Sequence, residues 1–83
     1  MKENWVTVLC NDAIAHGYNF PYGEIGFSLK PLVDSHGLES VRKAWLFWLE
    51  NGPALGEKVS FMTARAFSRT FRYWAYLAAP ADL

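Results

Sequence analysis

Cysteine is almost absent from this sequence. Cys10 stands alone, so no intramolecular disulfide can form and the fold asks for no oxidising compartment. Histidine is nearly as scarce: His16 and His36 lie far apart, and with one thiol they do not make a zinc-site pattern. Between residues 58 and 81 there is no acid at all. No uncharged run approaches the ~20 residues of a membrane-spanning helix. The apolar stretch from Trp5 to Cys10 is ended by Asn11 and Asp12, too soon for a secretory leader. An intracellular protein without membrane contact is therefore expected. Repeats, low-complexity tracts and linkers are missing too, so residues 1–83 read as a single domain.

Catalytic patterns are also lacking. Cys10 has no local activator, and the acidic residues are scattered with no pair marked for acid–base work. Gly23 and Gly26, beside Tyr22 and Phe27, fit neither a phosphate-binding loop nor a dinucleotide fingerprint. The histidines fall at expected helix ends, where an imidazole can meet exposed carbonyls and the negative end of the dipole. No enzymatic activity and no cofactor are expected.

What the chain does have is rings. Hydrophobic residues make up 52% of it, and four Trp, four Tyr and six Phe bring the aromatic share to 17%. A chain this short needs so dense a core, because it buries only roughly 60% of the surface it exposes unfolded. Formal net charge is zero, but the charge is split. Residues 1–57 hold four basic and seven acidic groups, 4 − 7 = −3. Residues 58–81 hold Lys58, Arg65, Arg69 and Arg72 and total +4. Such asymmetry marks an interaction surface, or two parts that attract each other.

Punctuation at His16-Gly17, Ser35-His36-Gly37, Asn51-Gly52-Pro53 and Pro80 divides the chain into four segments. Trp5, Val8, Leu9 and Ala13 fall on one side of a helix over residues 3–16. The β-branched run there allows a strand as the alternative. Residues 21–36 predict a short helix to Leu29, a kink at Pro31 and a second short helix to Ser35. Leu38, Val41, Trp45, Trp48 and Leu49 form the clearest stripe, a helix over residues 38–50. Ser60 reads as the N-cap of a last helix over residues 61–78. The expected fold is all-α, a compact three- to four-helix bundle with a proline-kinked second helix.

The last segment carries the candidate site. At 100° per residue Phe67, Phe71 and Trp74 share one side, while Arg65, Arg69 and Arg72 rise together on the other. Tyr76 joins the arginine side and Tyr73 lies at its edge. A row of guanidinium groups can track phosphates, and the tyrosines can stack or hydrogen bond beside it, with Lys58 extending the positive surface. The alternative is a solvated face, or pairing with acids such as Glu39, Glu50 and Glu57, which stabilises little. Zero net charge weighs against a strong generic nucleic-acid binder. The aromatic density of Trp45, Phe47, Trp48, Phe71, Tyr73, Trp74 and Tyr76 reads first as core packing in a small domain; Leu46, Phe47, Tyr73 and Tyr76 lie off the main stripes and leave apolar surface for a partner. Self-association or docking on a protein through exposed aromatics is thus a second mode.

Tyr22-Gly23-Glu24-Ile25-Gly26, then Leu29-Lys30-Pro31-Leu32-Val33 and His36-Gly37, are followed by Val41, Trp45 and Leu49. Val59-Ser60, Phe67, Phe71 and Trp74-Ala75 come next. Over residues 22–76 this series resembles a helical module of phage and prophage replication-associated and DNA-binding proteins. The resemblance implies a phage origin, a compact helical fold and a place in the host-cell cytoplasm, and it carries no catalytic residue. Such modules usually accompany a separate DNA-binding domain, for which this chain has no room. The expected partner is nucleic acid or a replication complex. The alternative is a host protein complex that the chain blocks, in the manner of an anti-CRISPR protein.

Overall fold

A computed structural model describes residues 4–78. The described residues form five α-helices and two 3₁₀ turns, and contain no strand. Helix α1 spans Trp5–Ala15, α2 Tyr22–His36 and α3 Leu38–Asn51. The turns Pro53–Leu55 and Val59–Phe61 follow, then α4 at Ala64–Arg69 and α5 at Phe71–Ala78. The Cα radius of gyration, 12.1 Å, is that of a compact chain of this length.

The first segment is helix, not strand. Asn4 caps it, its side-chain oxygen accepting from the Val6 amide at 2.8 Å and so satisfying one orphan donor. Val6, Leu9 and Ala13 are its buried side. His16 meets the expected carbonyl, with Nδ1 3.0 Å from the Asp12 oxygen. His36 instead packs its ring 4.9 Å from that of Phe71.

The expected division of the second segment into two short helices is not what forms. Helix α2 runs from Tyr22 to His36 with Pro31 inside it. Burial of Ile25 and Leu29 on one side, with Leu32 and Val33 packed against the same core, holds the helix through the proline. The proline has no amide to offer the carbonyl of Phe27.

Gly37 joins α2 to α3 in no more than one residue, at φ 85° and ψ 152°. That region is essentially confined to glycine. Gly37→Ala should therefore cost about 1–3 kcal/mol, read as a lower thermal midpoint. An unchanged midpoint would mean that the joint relaxes to another conformation. Gly52 ends α3 for a different reason. A Cβ there would sit 2.6 Å from the Trp48 carbonyl oxygen and 3.0 Å from the Met62 methyl. Gly52→Ala should destabilise by about 1–3 kcal/mol through this overpacking, and a urea titration would show it.

The last segment departs most from expectation. Ser60 lies within the second 3₁₀ turn and caps nothing; Thr63 caps α4, its hydroxyl accepting from the Ala66 amide at 3.0 Å. The single helix expected over residues 61–78 is two helices, parted at Thr70, whose φ −115° and ψ 18° leave the helical region. Thr70 Oγ1 donates to the Ala66 carbonyl at 3.1 Å and accepts from Trp74 Nε1 at 2.9 Å. Its own carbonyl accepts from the Tyr73 and Trp74 amides and starts the next helix. A hydroxyl bonded back to the preceding turn competes with helix continuation.

The core is a ring cluster. Trp45, Trp48 and Phe67 are fully buried, and their centroids lie 5.1–5.2 Å apart in every pairing. Phe20 stacks on Trp48 from one side and Tyr18 stacks on Phe20. Such pairs add about 0.5–1.5 kcal/mol beyond their area. The indole nitrogens are satisfied as well: Trp45 Nε1 donates to the Leu9 carbonyl at 2.9 Å and Trp48 Nε1 to the Glu57 carboxylate at 3.3 Å. α5 packs against α3, and α4 packs against α2. These two packings aim the outer sides of α4 and α5 at solvent.

Candidate nucleic-acid or partner interface

The arginine row breaks into two groups where the helix breaks. Arg65 and Arg69 stand four residues apart on α4, whose inner side buries Ala64 and Phe67. Arg72 stands on α5 with Tyr73 and Tyr76, opposite the buried Phe71 and Trp74. All three arginines are exposed. Tyr73 and Tyr76 are 52% and 80% exposed, so α5 does show a basic, aromatic outer side. The Tyr73 ring also meets Trp74 edge-on at 4.8 Å, which limits its freedom to turn away.

No carboxylate among the described residues is ion-paired with the row. Among the described residues the ion pairs are Lys30 with Asp34 and Arg42 with Asp12, the second a two-bond clasp of 2.9 and 3.0 Å between α3 and α1. Glu57 takes the Trp48 indole. The guanidinium groups of Arg65, Arg69 and Arg72 have no hydrogen-bond or ion-pair partner among the described residues. Unpaired guanidinium is the form that recognises phosphate or carboxylate in two-bond geometry.

Compared with protein-family models, curated proteins and solved structures, the chain matches none. The site is therefore read from its own chemistry. Lys58 lies apart from both arginine groups in the sequence, on the connection before the second 3₁₀ turn, with Nζ 5.8 Å from the centroid of the Phe61 ring. Around it Leu55, Val59 and Phe61 are exposed. Periodicity does not reveal this apolar connector, because Ser60 and Phe61 read as the cap and first residue of one long helix.

Arg65 and Arg69 do not simply face open water. They line a groove of about 530 Å³ between α4 and α2, together with Ser68 and, from α2, Glu24, Phe27 and Ser28. Phe27 is 87% exposed, the most exposed large apolar side chain among the described residues. The sequence held a signal for it: Phe27 is two residues from both Ile25 and Leu29, hence on the opposite side of any helix that buries those two. The described residues contain no cluster of three or more His, Cys, Asp or Glu able to hold a metal ion. No described helix is long and apolar enough to cross a membrane. Cys10 is half-buried on α1.

Proposed function

We propose that the protein is a non-catalytic binding module that holds nucleic acid through Arg65, Arg69 and Arg72, with Tyr73 and Tyr76 beside them. The carrying observation is that three exposed guanidinium groups stand without a described anionic partner in a segment that has no acid from residue 58 to residue 81. Arginine left free in this way supplies phosphate contacts, and exposed rings supply stacking surface. The resemblance of residues 22–76 to phage replication-associated modules supports the same reading and sets it in a phage replication complex. A gel shift with single-stranded and duplex DNA at rising salt tests it, with Arg69→Glu as the variant. Binding that weakens steeply with salt and is lost in the variant supports the reading. Absence of any shift at micromolar protein overturns it.

One observation favours a second reading. Phe61 is 70% exposed and shares its connector with exposed Val59 and Leu55, away from the arginines in sequence. Grouped exposed apolar side chains tend to mark a protein interface. A small phage inhibitor that docks on a host protein complex would use that surface. A stable protein partner in a pull-down that Phe61→Ser abolishes, with no DNA shift, selects it over the first.

A further inference from the structure

Beyond a general attraction for phosphates, and resting on that reading, the groove between α2 and α4 has the components of a subsite for one unit of a single strand. We infer that it takes an unpaired nucleotide, with the base lying on the Phe27 ring and the adjoining phosphate held by Arg65 and Arg69. Three observations converge on this. Phe27 presents nearly its whole ring to solvent, on the helix side away from the core. The two guanidinium groups that line the same groove have no described partner. The groove's volume, about 530 Å³, lies in the range of small-ligand sites.

Its polar groups also give the groove a direction. Arg65 and Arg69 come from α4, and Glu24 comes from α2 without pairing with either. A phosphate is drawn to the α4 side and repelled from Glu24. A base edge carries N–H donors, which a carboxylate accepts. Ser28 and Ser68 add hydroxyls that donate or accept. Pro31 lines the groove too, and it gives no amide to the Phe27 carbonyl one turn before it.

Single-stranded nucleic acid is the occupant these features favour. In a duplex the flat side of each base is covered by its neighbours, so an isolated exposed ring has nothing to stack on. In a single strand every base offers a free π-face. An acidic peptide would satisfy the arginines but would leave Phe27 without a flat partner.

The test is fluorescence anisotropy with labelled oligo-dT, oligo-dC and a duplex of equal length, on the full chain and on Phe27→Ala, Phe27→Trp and Arg69→Glu. Phe27 is exposed, so its variants should keep the circular dichroism and thermal midpoint of the parent. Phe27→Ala should weaken single-strand binding about five- to hundred-fold while leaving the salt slope unchanged. Phe27→Trp should restore it, and Arg69→Glu should lower both affinity and slope. Equal affinity for duplex and single strands, or full binding by Phe27→Ala, would overturn the subsite and leave the arginine reading standing. No binding of any oligonucleotide at low salt would overturn both.

Discussion

Trp45→Ala should lower the unfolding free energy by about 3–5 kcal/mol, a large part of the roughly 5–15 kcal/mol that a domain possesses. The ring has no exposed surface and touches three others, those of Phe20, Trp48 and Phe67. Its indole nitrogen also ties α3 to α1 through the Leu9 carbonyl. Removing it leaves a void that its rigid aromatic neighbours fill poorly, so the cavity cost adds to the lost transfer energy. In urea the midpoint should fall by at least about 1 M with the slope unchanged. Trp45→Phe separates the contributions: it keeps a ring, loses the N–H and should cost distinctly less. A loss under about 1 kcal/mol for Trp45→Ala would show that the ring is not packed as described.

Replacing Arg65, Arg69 and Arg72 together by alanine should flatten the salt dependence of nucleic-acid binding. Three phosphate contacts predict a fall in affinity of roughly twenty- to forty-fold between about 50 and 200 mM salt, the lower figure for single strands and the higher for duplex. The triple variant should show little such fall and weak binding throughout. All three side chains are exposed and unpaired among the described residues, so its stability should match the parent's within about 0.5 kcal/mol. Parent binding without a salt slope would remove the arginines from the interface. A triple variant that unfolds would show them to be structural.

The helices that bury a regular stripe are legible in the sequence. In α3, Val41, Trp45, Trp48 and Leu49 are buried as their spacing requires, and the helix closes at Asn51-Gly52-Pro53. Pro31 was legible as a breaker but misleading, because propensity near one residue is weaker than the burial of Ile25 and Leu29 around it. The break at Thr70 was not legible. It depends on one hydroxyl serving both a preceding carbonyl and a following indole, and periodicity does not register that pairing. The exposed rings of the site were half legible. Tyr73 and Tyr76 follow from the helical wheel. Phe27 was set aside with the nearby glycines, and its meeting with Arg65 and Arg69 depends on α4 packing against α2, a contact between distant parts of the chain.

Thr70 links surface and interior in a way that bears on redesign. Trp74 packs into the hydrophobic centre with its ring and fastens the joint between α4 and α5 with its nitrogen. The relative placement of Arg69 and Arg72 thus depends on a bond to an indole that is almost wholly buried. A graft that moved only the outward-facing residues onto a continuous helical scaffold would keep their identities and lose their arrangement. Transplanting this surface means carrying the threonine and the tryptophan along with it.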